Sequence, residues 1–568
     1  MTDHPSVQIL LDLGDPASQT IGVELHWTPA TLCQRWQMPV WTPGSYTVRD
    51  PAQHLHTLEL SQGGETLNPR RMSPSRWQVE LSVLEPLCLR YQLEARQLTV
   101  RTNHLDPDFA SLCLSAVVME VEGHRWSSHA LELQLPDHWH GFVPLPERKR
   151  GYWAENFDQL VDSPVHAGPF QDIPFQVQGC RHSLVLIGSP PMGWPETLVE
   201  DIASVCTATA GLMGTQPPAG DRYQLVIQLL DSGYGGLEHD NSSVLQFSWP
   251  LLAKPEGYRQ LLQLVGHEYL HQWNVRRLRP REYRPYDHGR AVISDGLWFA
   301  EGVTSYFDLA LPLLAGRSDR HTLLKDLAKD LSHVLLHPGR KIQSLADSSR
   351  EAWIRLYKST PAGSDTQISY YKLGTALAFC LDVELRCVGT SLAQLLRNLW
   401  EQFGQTGRGY SRLDLVGALG KLNPELAEQL PSWLDHCDAL PIETCIQKLG
   451  LNLVPVHGDS GWTGLTVAED GHAVRVKRVR EGSPAHAAGL VAGDEIVAVR
   501  RHRLTCLEHW TPLLKGAKTT PITYARRGLL EETQLIQQSS CVEEMTLEWN
   551  TQADLNSREL RDRWFEIV

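Results

Sequence analysis

Apolar and polar positions alternate with a period of two in short runs up to about residue 172, as in VQILLDL, TLELSQ, RWQVELSV, LCLRYQLEARQLTV and HALELQLP. Proline, glycine and aspartate clusters separate these runs, which predicts an antiparallel β domain. Pro43-Gly44 marks a turn between two of them. A further strand pair is expected at FQVQGC and HSLVLIGSP. After Pro191 the pattern turns helical at ETLVEDIASVCTATAGLMG, followed by a strand at YQLVIQLLD. From Pro255 to Cys437 apolar positions recur every three to four residues, which predicts an almost wholly helical region. Strand patterns and glycine-proline turns return beyond Gly450. The segment Asn550 to Val568 reads as a terminal helix or a loose end. The expected architecture is multidomain α+β: a β domain over 1–172, a mainly helical domain over 173–450, a compact unit over 451–545 and a tail over 546–568.

One helix of the middle region carries chemistry. In PEGYRQLLQLVGHEYLHQWN, Tyr258, Leu261, Leu262, Val265 and Tyr269 form a stripe to be buried. Leu264, His267, Glu268 and His271 share a different face, because residues three and four apart are helical neighbours. Two imidazoles one turn apart reach a single Zn²⁺, leaving Glu268 beside the open coordination position. Glu301 is the only carboxylate in the apolar helix expected over Leu297 to Phe307. Burying it unpaired is costly, so it needs a cation, and two histidines with one glutamate make a recurrent catalytic zinc set. The expected cofactor is therefore one zinc ion per chain, held by His267, His271 and Glu301. Water beside such a metal loses its proton near neutrality, and Glu268 is placed to accept it as general base.

Ahead of this helix, Gly235 and Gly236 precede Leu237-Glu238-His239, and glycines let a backbone approach a ligand closely. Arg276, Arg277 and Arg279 follow the helix. They read equally as a dock for a substrate carboxylate or as a solvated basic stretch.

Composition narrows the rest. Across 568 residues the net charge is −14, without a long basic block, which argues against nucleic acid or an anionic membrane as the main partner. No run of 18 apolar residues occurs, so no membrane span is expected. The first residues lack a basic segment followed by an apolar one, so no signal peptide is expected. Eleven cysteines with no CxxC pair read as reduced thiols of a cytoplasmic protein.

Taken together, HEYLHQWNVRRLRP and LWFAEGVTSYF resemble the glycyl aminopeptidase family of PDZ-containing zinc metallopeptidases, within the gluzincins. VWTPGSYTVRD, VRTNHLD, YGGLEHDNSS and SYYKLG extend the resemblance along the chain. It implies a thermolysin-like catalytic domain and an aminopeptidase that removes N-terminal Gly or Ala from small peptides. It further implies that Gly235 and Gly236 line the substrate groove and that Glu238 binds the free α-amine. Tyr371 is implied as donor to the oxyanion, with Tyr370 the alternative, because Lys-Leu stands before Gly374 where Lys alone is expected. In the C-terminal unit, TGLTV and REGSPAHAAGLVAGDEIVAV resemble a bacterial-type PDZ domain with LEHWTPLL as its second helix. Such domains capture a peptide C-terminus by strand addition, here at a nest around Gly464 and Leu465. Two other readings stay open: a zinc endopeptidase supplied with proteins by the PDZ unit, and a catalytically silent scaffold. Glu268, needed for chemistry but not for zinc binding, speaks against the scaffold.

Overall fold

The computed structural model describes residues 5–149, 151–358, 360–361, 363–458, 461–539 and 541–567. The chain forms two compact units. The first comprises Met1–Asp319, Ser391–Leu422 and Glu566–Val568, and the second Arg320–Thr390 and Asn423–Phe565. Among the described residues no helix is long and apolar enough to cross a membrane.

The first unit opens with an eight-stranded sheet. Its strand order is Glu147–Arg148, Gly151–Ala154, His129–Gln134, Val7–Asp12, Thr20–Trp27, Leu87–Glu94, Leu55–Gln62 and Glu65–Leu67. Alternation drives it: Val7, Ile9, Leu11, Val23, Leu25, Leu87 and Leu89 point into one core, and the residues between them face outward. The sheet is antiparallel except for one pair, because Val7–Asp12 runs parallel to His129–Gln134. More than a hundred residues separate those two strands, so a long excursion replaces the hairpin that would have made them antiparallel.

The same unit holds a five-stranded mixed sheet ordered Asp172–Val177, Cys180–Ile187, Arg222–Leu230, Ser242–Ser248 and Tyr234–Glu238. The three middle strands are parallel, and the edge strand Tyr234–Glu238 is antiparallel to its neighbour. Helices Leu198–Met213, Pro255–Leu270 and Val303–Leu314 pack with one another. The helix Pro255–Leu270 is buried on nearly every side from Leu261 to Leu270, not along a single stripe. Tyr258, expected inside, is half-buried and donates to Asp201 Oδ2 at 2.7 Å. Gly266 lets this helix lie close to its neighbours, since a Cβ there would meet Leu311 Cδ1 at 2.7 Å.

In the second unit, helices Arg320–Leu336, Tyr370–Cys387, Pro424–Asp435 and Ile442–Lys448 form a helical layer. Strands Leu451–His457 and Val542–Trp549 pair as a separate ladder. Ser332 ties the second of these to the helix Arg320–Leu336, with its hydroxyl accepting from Met545 N and donating to Met545 O. Residue 546, the expected start of the tail, thus falls inside a strand. Between the ladder strands lies a sheet ordered Leu465–Asp470, Ala473–Val479, Glu495–Val499, Thr519–Arg526 and Leu529–Ile536, closed over Val474, Val476, Ile496, Trp510 and Leu535. The chain then enters a helix over Leu555–Glu566 that buries Trp564 and Phe565.

Candidate metal and peptide-binding centre

Three elements of the first unit converge on one point: the helix Pro255–Leu270, the turn that leads into Val303–Leu314, and the edge strand Tyr234–Glu238. His267 Nε2 lies 3.5 Å and His271 Nε2 3.3 Å from Glu301 Oε2, and the two imidazoles stand at 89° to each other. Two zinc–ligand bonds of about 2.0–2.1 Å at a tetrahedral angle set their donors about 3.3–3.4 Å apart. The three groups therefore fit one zinc ion. Glu301 sits in a π-helical turn, Trp298–Gly302, and not in the regular helix expected over Leu297 to Phe307. Such widened turns recur at functional sites, where they re-aim one side chain.

Each imidazole is oriented by its other nitrogen. His267 Nδ1 is 2.7 Å from Asp308 Oδ2, and His271 Nδ1 is 2.7 Å from the Asn274 carbonyl. These partners fix the tautomer, so that Nε2 is the nitrogen offered to a metal. Asn274 does a second job: its Nδ2 donates to the Phe299 carbonyl at 2.9 Å, joining the segment after His271 to the turn that carries Glu301. Asp308 and Asn274 were not singled out from sequence. Asp308 had a usable signal, standing seven residues, about two helical turns, after Glu301.

The charge balance of the centre calls for a cation. Glu301 is 2% exposed, and against the pull of burial His271 and His267 hold its carboxyl low, at about 2. Burial pushes the Glu268 carboxyl up to about 7; the two histidines oppose this, while Glu238 and Glu301 add to it. Glu268 Oε2 and Glu238 Oε1 are buried without a hydrogen-bond partner. Two such oxygens beside a third carboxylate are costly in a low-dielectric interior unless a cation or a bound ligand compensates them.

Glu238 belongs to the same centre. Its carboxylate, that of Glu268 and a His271 ring nitrogen offer atoms that all lie within 4.8 Å of one another. Gly236 makes the approach possible, because a Cβ there would stand 2.1 Å from Glu268 Oε1. Gly235, by contrast, has open space around it. The strand is held from the β domain as well. Arg101, from VRTNHLD, donates through Nη2 to the Gly236 carbonyl at 2.9 Å. Gly44, from the TPG turn, has φ +82°, and a Cβ on it would meet both Glu238 carboxylate oxygens at 2.6–2.7 Å. The turn expected between two strands is thus a buried wall of this centre.

The arginine run is not a solvated stretch. Arg276 is 2% exposed, with Nη2 2.7 Å from Asp162 Oδ1 and Nε 2.9 Å from Asp240 Oδ1. Arg277 donates to the Asp240 carbonyl and to Asn241 Oδ1, and Arg279 lies over the Tyr286 ring. His239, left unassigned from sequence, joins the same network with Nδ1 3.0 Å from Asp162 Oδ1. Arg276 and Arg279 thus face aspartates from elsewhere in the chain, and Arg277 is held by a backbone carbonyl and an amide oxygen.

Tyr370 and Tyr371 belong to the second unit, at the start of the helix Tyr370–Cys387, where Ser369 Oγ accepts from Tyr371 N at 3.2 Å. Tyr370 is fully buried and Tyr371 half-buried. The Tyr357 hydroxyl, also missed from sequence, lies 3.1 Å from that of Tyr370 and 3.2 Å from that of Tyr371.

Comparison with known proteins gives this centre a context. No curated protein matches the chain. The crystal structure of the aminopeptidase N family protein from Idiomarina loihiensis is similar over 98% of this chain and 100% of its own, at 27% identity and a TM-score of 0.91. The crystal structure of an M1 zinc metallopeptidase from Deinococcus radiodurans covers 76% of this chain and 93% of its own, at 14% identity and a TM-score of 0.48. Residues 8–169 match the family model described as the peptidase M61 N-terminal domain. Residues 260–377, which include His267, Glu268, His271 and Glu301, match the M61 glycyl aminopeptidase model. The chain thus carries, in this order, a region matching the peptidase M61 N-terminal domain and a region matching the M61 glycyl aminopeptidase model.

Proposed function

We propose that the protein is a zinc aminopeptidase that removes N-terminal residues, Gly or Ala by preference, from small peptides. One observation carries the reading: the Glu238 carboxylate lies within 4.8 Å of Glu268 and His271. In a peptide only one carbon separates the α-amine from the first carbonyl. A carboxylate this close to the general base can hold the α-ammonium while the first peptide bond lies against that base, and it obstructs a chain that continues past it.

In this reading His267, His271 and Glu301 hold one zinc ion, which supplies Lewis-acid polarisation and brings the pKa of water toward neutrality. Glu268 takes the proton of the attacking water and returns it to the leaving amine nitrogen. Glu238 anchors the α-ammonium through a charge-assisted hydrogen bond, and Gly235 and Gly236 give the substrate backbone access along the edge strand. Tyr371 donates its hydroxyl to the developing oxyanion. The preference for Gly and Ala agrees with a Glu238 pocket already filled on one side by the Gly44 turn.

The reading keeps a thermolysin-like catalytic domain over 173–450 and a PDZ-like unit over 451–545. The latter is supported by a short helix Pro484–Ala487 capped by Ser483, a second helix Trp510–Leu514, and the strand Leu465–Asp470 at one end of its sheet. A peptide C-terminus adding to that strand is its proposed partner.

The test is cleavage of glycyl and alanyl arylamides with free and with N-acetylated amines. Free amines are expected to be cut and acetylated ones spared. Cleavage of internal bonds in blocked peptides would overturn the reading in favour of an endopeptidase.

A further inference from the structure

We propose that Glu24, His26 and Cys88 form an accessory site for a zinc-like divalent cation on the solvent face of the eight-stranded sheet, separate from the catalytic centre. Strands Thr20–Trp27 and Leu87–Glu94 pair antiparallel in a register that sets His26 opposite Cys88 and Glu24 opposite Arg90. Val23, Leu25 and Trp27 point into the core, as do Leu87, Leu89 and Tyr91. Alternation therefore turns Glu24, His26 and Cys88 out on the same face. One ligand atom from each lies within 4.8 Å of the other two. Directly opposed residues of an antiparallel pair approach closely enough for their side chains to share a ligand.

The donor set is chemically selective. Thiolate, imidazole and carboxylate together suit zinc and its borderline-soft relatives, and suit calcium or magnesium poorly. Three protein donors leave a fourth position to solvent, in keeping with a site at the surface.

Arg90 does not occupy the site. Its Nε donates to Glu24 Oε2 at 2.6 Å, while Glu24 Oε1 faces His26 Nε2 at 2.5 Å. One carboxylate oxygen thus serves the guanidinium and the other the cation. Glu59, across from Arg90 on the next strand, shares that positive charge. Admitting an ion requires the Glu24–His26 contact to open by about 0.8 Å to reach tetrahedral donor spacing. The His26 side chain is 45% exposed and that of Glu24 26%, so rotamer adjustment suffices. Binding releases the Cys88 proton and ties two adjacent strands together. The site lacks the oriented imidazoles of the catalytic centre, so its affinity is the weaker of the two.

The test uses the full-length protein and needs no activity assay. Zinc is counted by competition with a chromogenic chelator, and Co²⁺ is substituted into the metal-free protein to read the near-ultraviolet thiolate-to-cobalt band. Wild type is expected to take up about two zinc ions per chain and to show the band, whereas Cys88→Ala and His26→Ala take up about one. Cys88→Ala lacks the band, and His271→Ala keeps it. A wild type without the band, a band that survives Cys88→Ala, or equal zinc uptake by wild type and Cys88→Ala would each overturn the proposal. Failure of the catalytic centre alone would instead remove the His271-dependent ion and leave the band intact.

Discussion

Asp308 stands seven residues after Glu301, and its carboxylate lies 2.7 Å from His267 Nδ1. The π-helical turn Trp298–Gly302 and the helix Val303–Leu314 that follows it thus carry both the carboxylate that faces the two imidazoles and the group that orients one of them.

Asp308→Ala should weaken zinc binding at the catalytic centre by roughly 10–100-fold, the usual cost of losing such a partner. Asp308→Asn, which keeps an acceptor, should lose less. Zinc competition on both variants in a Cys88→Ala background checks this, and equal affinities for all three proteins would contradict it.

Gly236→Ala tests the close approach of strand and helix. Its Cβ would stand 2.1 Å from Glu268 Oε1, so the base must move while zinc binding and fold persist. Turnover should fall at least about tenfold, because misplacing a catalytic group by about 1 Å is costly. Gly235→Ala meets no atom within 4 Å but carries backbone strain at φ +158°, so its cost should fall on stability rather than on kcat. Comparing kcat of the two variants at equal zinc content decides the matter.

Much of this centre is legible in the sequence, and the reasons differ residue by residue. His267, Glu268 and His271 reveal themselves because helical periodicity brings local neighbours together, and Glu301 because it is a lone carboxylate among apolar residues. Glu238 and its glycines need a family resemblance, since nothing local says which loop an edge strand faces. Arg276 and Arg279 look solvated because their partners, Asp162 and Asp240, come from elsewhere in the chain. The Asn274 carbonyl that orients His271 is invisible, because a backbone acceptor leaves no mark in residue type. The same limit hides the parallel pairing of Val7–Asp12 with His129–Gln134, which is a long-range choice between strands of similar pattern.

Glu268→Gln should retain zinc and fold and lose several powers of ten in kcat, because only proton transfer is removed. Near wild-type turnover with full zinc content would take the role of base away from Glu268.

Stability should decline in mild acid. Burial holds His129 and His182 down to about 4, against an ordinary value of 6.5. Between those values the unfolded chain takes up protons that the folded chain refuses. Their contribution is therefore present above pH 6.5 and is lost as pH falls toward 4, at up to about 1.4 kcal/mol per pH unit for each group. The drop in Tm from pH 7 to pH 5 should be smaller for His129→Gln than for wild type at matched zinc content. An unchanged drop would contradict the assignment.

The account rests most directly on Glu238. A desolvated ion pair to the substrate ammonium is worth a few kcal/mol, by analogy with buried charge pairs at interfaces. The decisive measurement is kcat/KM of Glu238→Ala on glycyl arylamide, with zinc content determined on the same sample. The account predicts a loss of roughly 10²–10³-fold with zinc unchanged. Activity within a few-fold of wild type would contradict it.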